Sequence, residues 1–305
     1  MSAYPPLCYD LRLRPMSRSS ILYAITTITL WSSLAYLGSR LNHLPPFLLV
    51  GIALGIGGLI GITRLRAWRV PIITLAVGIG GIFGYHFLLF TAFRYAPAVE
   101  ANLINYLWPL LIVLLSPVFL PEHPLHSHHI WGALIGLAGA SLIVTSGRFS
   151  LDVANLPGYL CAAGAAFVWA SYSLMTKRLP TFPTAAVSGF CMFSGLLSLV
   201  IYSLSVHSAI VMVGLTSQDW IYLTLLGAGP MGLAFLTWDA ALKRGDPRVI
   251  GSLSYVTPLT STLVLVVLGG RSFTWVSAVA MVLIFSGAVI GSLDFLRPLV
   301  LRNRI

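Results

Sequence analysis

The chain has 305 residues, 57% of them hydrophobic and only 9% charged, with a mean hydropathy of +0.91. Soluble globular chains carry about 25% charged residues, so water cannot be the solvent for most of this surface. The formal net charge of +10 would suit nucleic acid if the basic residues clustered on a soluble face; here they come one to three at a time between apolar runs. That pattern excludes nucleic acid as a partner and points to a lipid bilayer.

Residues 1–19 are polar and basic and lack the apolar run and small-residue cleavage site of a signal peptide, so an N-terminal cytoplasmic tail is expected. Ten apolar stretches follow, at 20–39, 45–63, 71–94, 98–119, 129–147, 157–176, 183–206, 219–242, 247–268 and 274–294. Each is near the roughly 20 residues a helix needs to cross a membrane. They are continuously apolar rather than alternating, which argues against a β-barrel. The expected fold class is therefore an all-α polytopic membrane protein with ten transmembrane helices. Residues 295–305 read as a C-terminal tail.

Lys and Arg accumulate in cytoplasmic segments. With the N-terminus inside, only Arg40, Arg94, Arg148 and Arg271 fall outside, and the other fourteen of the eighteen basic residues fall inside. A missed or invented span would scramble this sorting. Both termini are thus expected in the cytoplasm. One inside loop, "PEHPLHSHH" (121–129), has no Lys or Arg and four histidines. Their spacing matches no standard zinc pattern, so a solvated loop without metal is the expectation. Cys8, Cys161 and Cys191 show no metal or redox spacing, and no cofactor is implied.

The two halves, 20–147 and 157–294, repeat one another. "INYLWPLL" (104–111) aligns with "LSYVTPLT" (253–260), Ala92-Phe93-Arg94 with Ala241-Leu242-Lys243 at the same offset, and "WSSLAYLGSRL" (31–41) with "WASYSLMTKRL" (169–179). Five spans per half is an odd number, so the second half enters from the opposite side. Inverted repeats of this kind mark many secondary transporters, with a site near the midplane between the halves and alternating access by rocking.

Span four carries unusual chemistry for an apolar run. On a helix at 100° per residue, Asn102, Asn105, Tyr106 and Pro109 form one stripe, and Ser254, Tyr255 and Pro258 form its counterpart in span nine. An amide in hydrocarbon costs several kcal/mol without a partner, so such stripes should face protein or a water-filled cavity. Pro109 and Pro258 cannot donate to the carbonyls of Asn105 and Ser254, which predicts a kink, a freed acceptor and a hinge in each half. Glu100, near the start of its helix, reads either as helix-dipole stabilisation or as an outer gate.

In span three, Phe83, His86, Phe87, Phe90 and Phe93 share a broad face with Tyr85 on its flank. Intramembrane histidines are rare. His86 has three readings: substrate contact, carrier of a coupling proton, or a bond to a neighbouring helix. Trp169 and Tyr172 share a face in span six and with Tyr85, Tyr106 and Trp108 would line an aromatic cavity, unless they are core packing. Trp238 and Asp239 read as less central, with Asp239 paired to Lys243 four residues on. The pairs Gly80/Gly84, Gly132/Gly136 and Gly287/Gly291 predict close helix contacts.

Glu100 followed five residues later by "NYLWP" (105–109), together with "WASY" (169–172) and "SYVTP" (254–258), resembles the ten-helix drug/metabolite transporter superfamily of the EamA type. Within it, the resemblance is to the bacterial aromatic amino-acid exporters, and it covers nearly the whole chain after residue 20. It implies an inner-membrane carrier with a largely hydrophobic central cavity that exports aromatic amino acids, together with other amino acids and toxic analogues. By motif position, Tyr106 and Trp108 would line the cavity, with Tyr85, His86 and Trp169 close by. Some members carry a carboxylate where this chain has His86, so no proton-coupling scheme carries over. A monomeric carrier is compatible with this reading.

The chemistry suits such a small-molecule substrate. Aromatic rings gain about 0.5–1.5 kcal/mol from a ring pair beyond area burial. An ammonium can meet ring faces or freed carbonyls, and a carboxylate can use donors such as Asn105 and Tyr106. An enzyme is not expected: there is no HExxH, no GxSxG and no pair of mid-span aspartates. A channel, or a carrier of another metabolite or drug, remains the rival. Nucleotide-sugar carriage would favour basic residues in the cavity, and the spans hold no mid-depth Lys or Arg.

Overall fold

The structure is a computed structural model that describes residues 17–147, 152–205, 214–269 and 274–294. The C-terminal tail, all but the last three residues of the N-terminal tail, Cys8, Arg148 and Arg271 lie outside the described residues. Among those described there are fourteen α-helices and no strand. They are α1 (Arg18–Ser32), α2 (Leu34–Arg40), α3 (Pro46–Leu59), α4 (Ile72–Tyr95), α5 (Ala98–Asn105), α6 (Trp108–Phe119), α7 (Ser127–Thr145), α8 (Leu156–Met175), α9 (Ala186–Ser205), α10 (Ser217–Ala228), α11 (Ala234–Arg244), α12 (Pro247–Ser254), α13 (Val256–Gly269) and α14 (Trp275–Gly291).

These helices fall on the ten apolar stretches. Eight continuous or near-continuous segments are long and apolar enough to cross a membrane. The ninth is α3 with a 3-10 turn, Ile62–Trp68, bent by 90° from it. The tenth, α14, is a shorter apolar helix of 17 residues. The chain is a polytopic α-helical membrane protein. The helical part of the stretch at 45–63 ends at Leu59, and the chain then bends. The glycines at the end of α3 lead into Arg64, which leaves helical φ/ψ (−119°, 38°), and Arg64, Arg66 and Arg69 belong at a wet interface rather than in hydrocarbon.

The packing maps onto itself when the halves are exchanged. α3 packs on α9 and α7 on α14; α4 meets α8 as α1 meets α11; α5 and α6 meet α8 as α12 and α13 meet α1. This is two-fold pseudosymmetry, and with five segments per half its axis lies in the membrane plane. Contacts far apart in sequence sort by end of the bundle. At one end Ser20 bonds the Ala241 carbonyl, Lys177 the Leu242 and Gly245 carbonyls, and Arg248 the Pro124 carbonyl. At the other, His43 meets Asp219 and Tyr159 donates to Glu100. That alternation fits segments that run from one end of the bundle to the other.

Glycines allow the tightest of these contacts. A Cβ on Gly132 would strike the backbone of Gly287 and Gly291, and one on Gly136 would strike the Tyr255 ring. The expected pairs on α7 and α14 are therefore contact surfaces. Gly80/Gly84 is not: nothing lies within 4 Å of Gly80 and only Val168 lies near Gly84. Gly78 and Gly81 take that role on α4, against Phe190 and Tyr172, because the inward face of α4 is turned by a few residues from the expected one.

Candidate functional site: an aromatic cluster on the two-fold axis

Indole rings from four helices meet at the centre of the bundle. Trp31 (α1) lies 5.9 Å from Trp169 (α8), 6.0 Å from Trp108 (α6) and 5.2 Å from Trp238 (α11), ring centre to ring centre. Trp169 also contacts Tyr85, Tyr172 and Phe235 at 5.3–5.5 Å. Trp108, Trp169, Tyr172 and Trp238 are buried. Most of the pairs are edge-to-face or tilted, the arrangement that quadrupoles favour.

The cluster sits on the pseudosymmetry axis. Trp31 and Trp169 occupy matching places in the repeat and touch. His86 and Phe235 also match, at the 149-residue offset of the aligned motifs, and their rings are 6.1 Å apart. Residues related by a two-fold can meet only where the axis passes.

Polar groups border the rings. The His86 Nδ1–H donates to the Ile82 carbonyl at 2.7 Å, which leaves Nε2 as the acceptor of the neutral ring. That bond lies within α4 itself; what His86 meets from the second half is the Phe235 ring. Asn105 Nδ2 donates to the Tyr85 hydroxyl at 3.2 Å, and the other end of this buried amide has no partner. Trp238 Nε1 donates to Ser173 at 3.0 Å and Trp31 Nε1 to the Pro230 carbonyl at 3.2 Å. That carbonyl belongs to a π-helical turn, Gly229–Leu233. Such turns open the backbone ladder and recur at functional sites.

Both proline-bearing spans break, but before the proline. The first breaks at Tyr106 and Leu107, between α5 and α6, and the second at Tyr255, between α12 and α13. The continuous stripe expected on 98–119 is therefore cut in two. Asn105 and Trp108 turn to the centre while Tyr106 and Asn102 are half-buried. Across the axis the expectation fails further. Ser254 is satisfied within its helix, on the Ile250 carbonyl at 2.8 Å. Tyr255 packs in a separate cluster with Leu110, Val113, Ala133 and Leu259. Its ring fills the notch left by Gly136, and its hydroxyl donates to the Tyr106 carbonyl.

Phe83 and Phe87 form a tilted pair with Phe47 beside them, outside the central ring cluster. Trp238 is central, contrary to expectation, whereas Asp239 does pair with Lys243 at 2.7 Å, joined by Thr184. Trp31 was missed although the repeat aligns it with Trp169, and Phe235 is the repeat mate of His86; Trp238 has no aromatic mate and left no such trace.

The helix α11, which carries Phe235 and Trp238 of the cluster, also lines a cavity of about 430 Å³ at the basic end. Leu236, Thr237 and Ala240 of α11 line it with Tyr23, Thr184 and two arginines, Arg64 and Arg244. At the opposite end Glu100, in the first turn of α5, accepts from Tyr159 of α8 and so ties the two halves together.

Two stretches, residues 18–145 and 156–293, each match the EamA-like transporter family. The chain belongs to that family. A protein of Ancylobacter novellus named an aromatic amino acid exporter, YddG, is 43% identical over 288 residues, covering 91% of this chain and 99% of the relative. A protein of the same name from Salmonella typhimurium is 25% identical over 81% of this chain and 87% of its own length. A solved crystal structure superposes with a TM-score of 0.85 at 42% identity, over 92% of this chain and 98% of that one. The two-fold axis through the aromatic cluster is thus the axis of a transporter.

Proposed function

We propose that this transporter exports aromatic amino acids, with other amino acids and related metabolites, across the bacterial inner membrane by alternating access. The observation that carries the reading is the ring cluster on the axis with one end of the buried Asn105 amide unpartnered beside it. A buried polar atom without a partner costs free energy, and a zwitterion whose ring enters among Trp31, Trp108, Trp169 and Trp238 would supply that partner. Tyr85, His86, Trp169 and Tyr172 form the wall on one side, with Asn102 and Tyr106 at the helix break. Ser254 and Tyr255 act from behind that break rather than on the substrate. Pro109 and Pro258 serve as hinges, Glu100 with Tyr159 as the outer gate, and the cavity lined by Arg64 and Arg244 as the inner vestibule. Both termini are cytoplasmic on this reading, as the distribution of basic residues supports.

The test is transport by the purified protein in liposomes. Labelled phenylalanine or tryptophan should move down its gradient with saturable rates. Flux equal to that of empty liposomes for every amino acid would refute the substrate assignment, and non-saturating flux would indicate a channel.

A further inference from the structure

The loop at 121–129 is largely exposed, as expected, but its last histidines are not free in solvent. Folding brings His126, His128 and His129, at the start of α7, against Asp294, just beyond α14. One ligand atom from each of the four lies within 4.8 Å of all the others. His128 Nε2 and His129 Nε2 are each 3.2 Å from an Asp294 oxygen, and His126 Nδ1 is 3.9 Å away. The three imidazole centres are 4.1–5.5 Å apart. His129 is fully buried, while His126 and Asp294 are exposed on the open side.

We propose that these four residues bind a single divalent transition-metal ion of the zinc class. Three imidazole nitrogens and one carboxylate oxygen are a donor set that suits tetrahedral zinc. Four ligands about 2.0–2.1 Å from a common centre stand roughly 3.3 Å from one another. His128 and His129 already stand at that spacing from Asp294, one on each carboxylate oxygen, so a small turn of the exposed carboxylate and a swing of the exposed His126 ring bring the four donors round one centre. Charging the imidazoles instead would put up to three cations against one carboxylate, with Arg248 nearby already occupied by Asp246. Neutral imidazoles around one dication avoid that repulsion.

His129 Nδ1 accepts the His126 backbone N–H at 3.2 Å, so its proton sits on Nε2. On loading, that proton moves to Nδ1, Nε2 gives its lone pair to the metal, and the backbone bond opens. The bound ion staples the start of α7 in the first half to the end of α14 in the second, which would slow any transport cycle that moves these ends apart.

The experiment uses the full chain, purified with a tag that lacks histidine and titrated with Co²⁺ as a spectroscopic probe near neutral pH. The expected result is an absorption band of four-coordinate intensity that saturates at one Co²⁺ per chain and is displaced by Zn²⁺. Affinity should fall at least ten-fold in His128→Ala and in Asp294→Asn. The exposed variant His126→Asn, with little risk to folding, should lose the four-coordinate signature. Zn²⁺ should raise the melting temperature of the wild type and not of Asp294→Asn. Absence of the band, a band unchanged in all three variants, or melting that depends on pH alone and ignores Zn²⁺ would overturn the proposal.

Discussion

The hydroxyl of Tyr255 reaches the backbone carbonyl of Tyr106 at 3.4 Å. Matching tyrosines of the two repeats thus meet, one through its side chain and the other through its main chain, at the places where their helices break. The broken ladder at Tyr106 leaves that carbonyl without an intrahelical donor, and the second half provides one. Tyr255→Phe should leave folding nearly intact, since a single neutral hydrogen bond contributes about 0.5–1.5 kcal/mol. It should change the initial rate of transport in liposomes at unchanged expression. A wild-type rate would mean that the two breaks move independently.

Removing rings from the centre should affect transport more than stability. Trp31→Ala and Trp169→Ala each delete a ring on the axis, and we expect transport of phenylalanine to fall by at least ten-fold in proteoliposomes. Deleting the buried Trp169 ring also costs about 3–5 kcal/mol, so the milder Trp31→Phe, at a half-buried position, separates the effects: it should keep melting near the wild type while leaving selectivity among aromatic substrates altered.

At the end opposite the basic residues, Glu100→Gln and Tyr159→Phe both break one contact between halves. Measured in a double-mutant cycle, their effects on transport rate should be strongly non-additive, because they remove the same interaction. Independent effects would dismiss the pair as a gate.

The glycines give a sharper structural test. Gly132→Ala places a methyl group against the α14 backbone, and overpacking of this kind costs about 1–3 kcal/mol. Gly80→Ala faces open space and should melt like the wild type in detergent. Equal melting of both variants would contradict the α7–α14 contact.

Asp246 caps α12 and bonds Arg248, which is 2% exposed. Burial opposes ionisation of this carboxyl, but the contacts from His123 and Arg248 outweigh it and hold it well below the usual carboxylate range. A carboxyl lowered on folding stabilises fully above its unfolded value of about 4 and stops doing so as pH falls toward the folded value. Thermal stability should therefore be insensitive to this group across neutral pH. Asp246→Asn should cost about 3–5 kcal/mol at pH 7, by stranding a buried guanidinium, read as a drop in melting temperature; a variant that melts like the wild type would contradict the ion pair.

The spans, the repeat and much of the aromatic wall were legible in the sequence, because hydropathy and a repeated motif both survive as one-dimensional patterns. Tyr85, Trp108 and Trp169, which the motifs single out, come together in the central ring cluster. What escaped depends on the chain closing on itself. The helix breaks at Tyr106 and at Tyr255 each re-aim a stripe that a straight helix would have kept together, and Tyr255 sits in a separate packing cluster. The π-helical turn at Gly229–Leu233, which gives Trp31 its acceptor, has no periodic signature distinct from an apolar helix. The histidines of the α6–α7 loop lacked a readable spacing because their fourth companion, Asp294, comes from the far end of the chain.

His86 stands across the axis from Phe235, so the duplicated architecture is unequal at its own centre. The imidazole and the Asn105 amide both belong to the first half, and their counterparts in the second are a phenyl ring and a hydroxyl bonded within its own helix. On the proposed reading, a zwitterionic cargo keeps its charged end turned toward the first half whichever mouth is open. Direction of travel reverses with the rocking of the bundle, yet the orientation of the passenger does not.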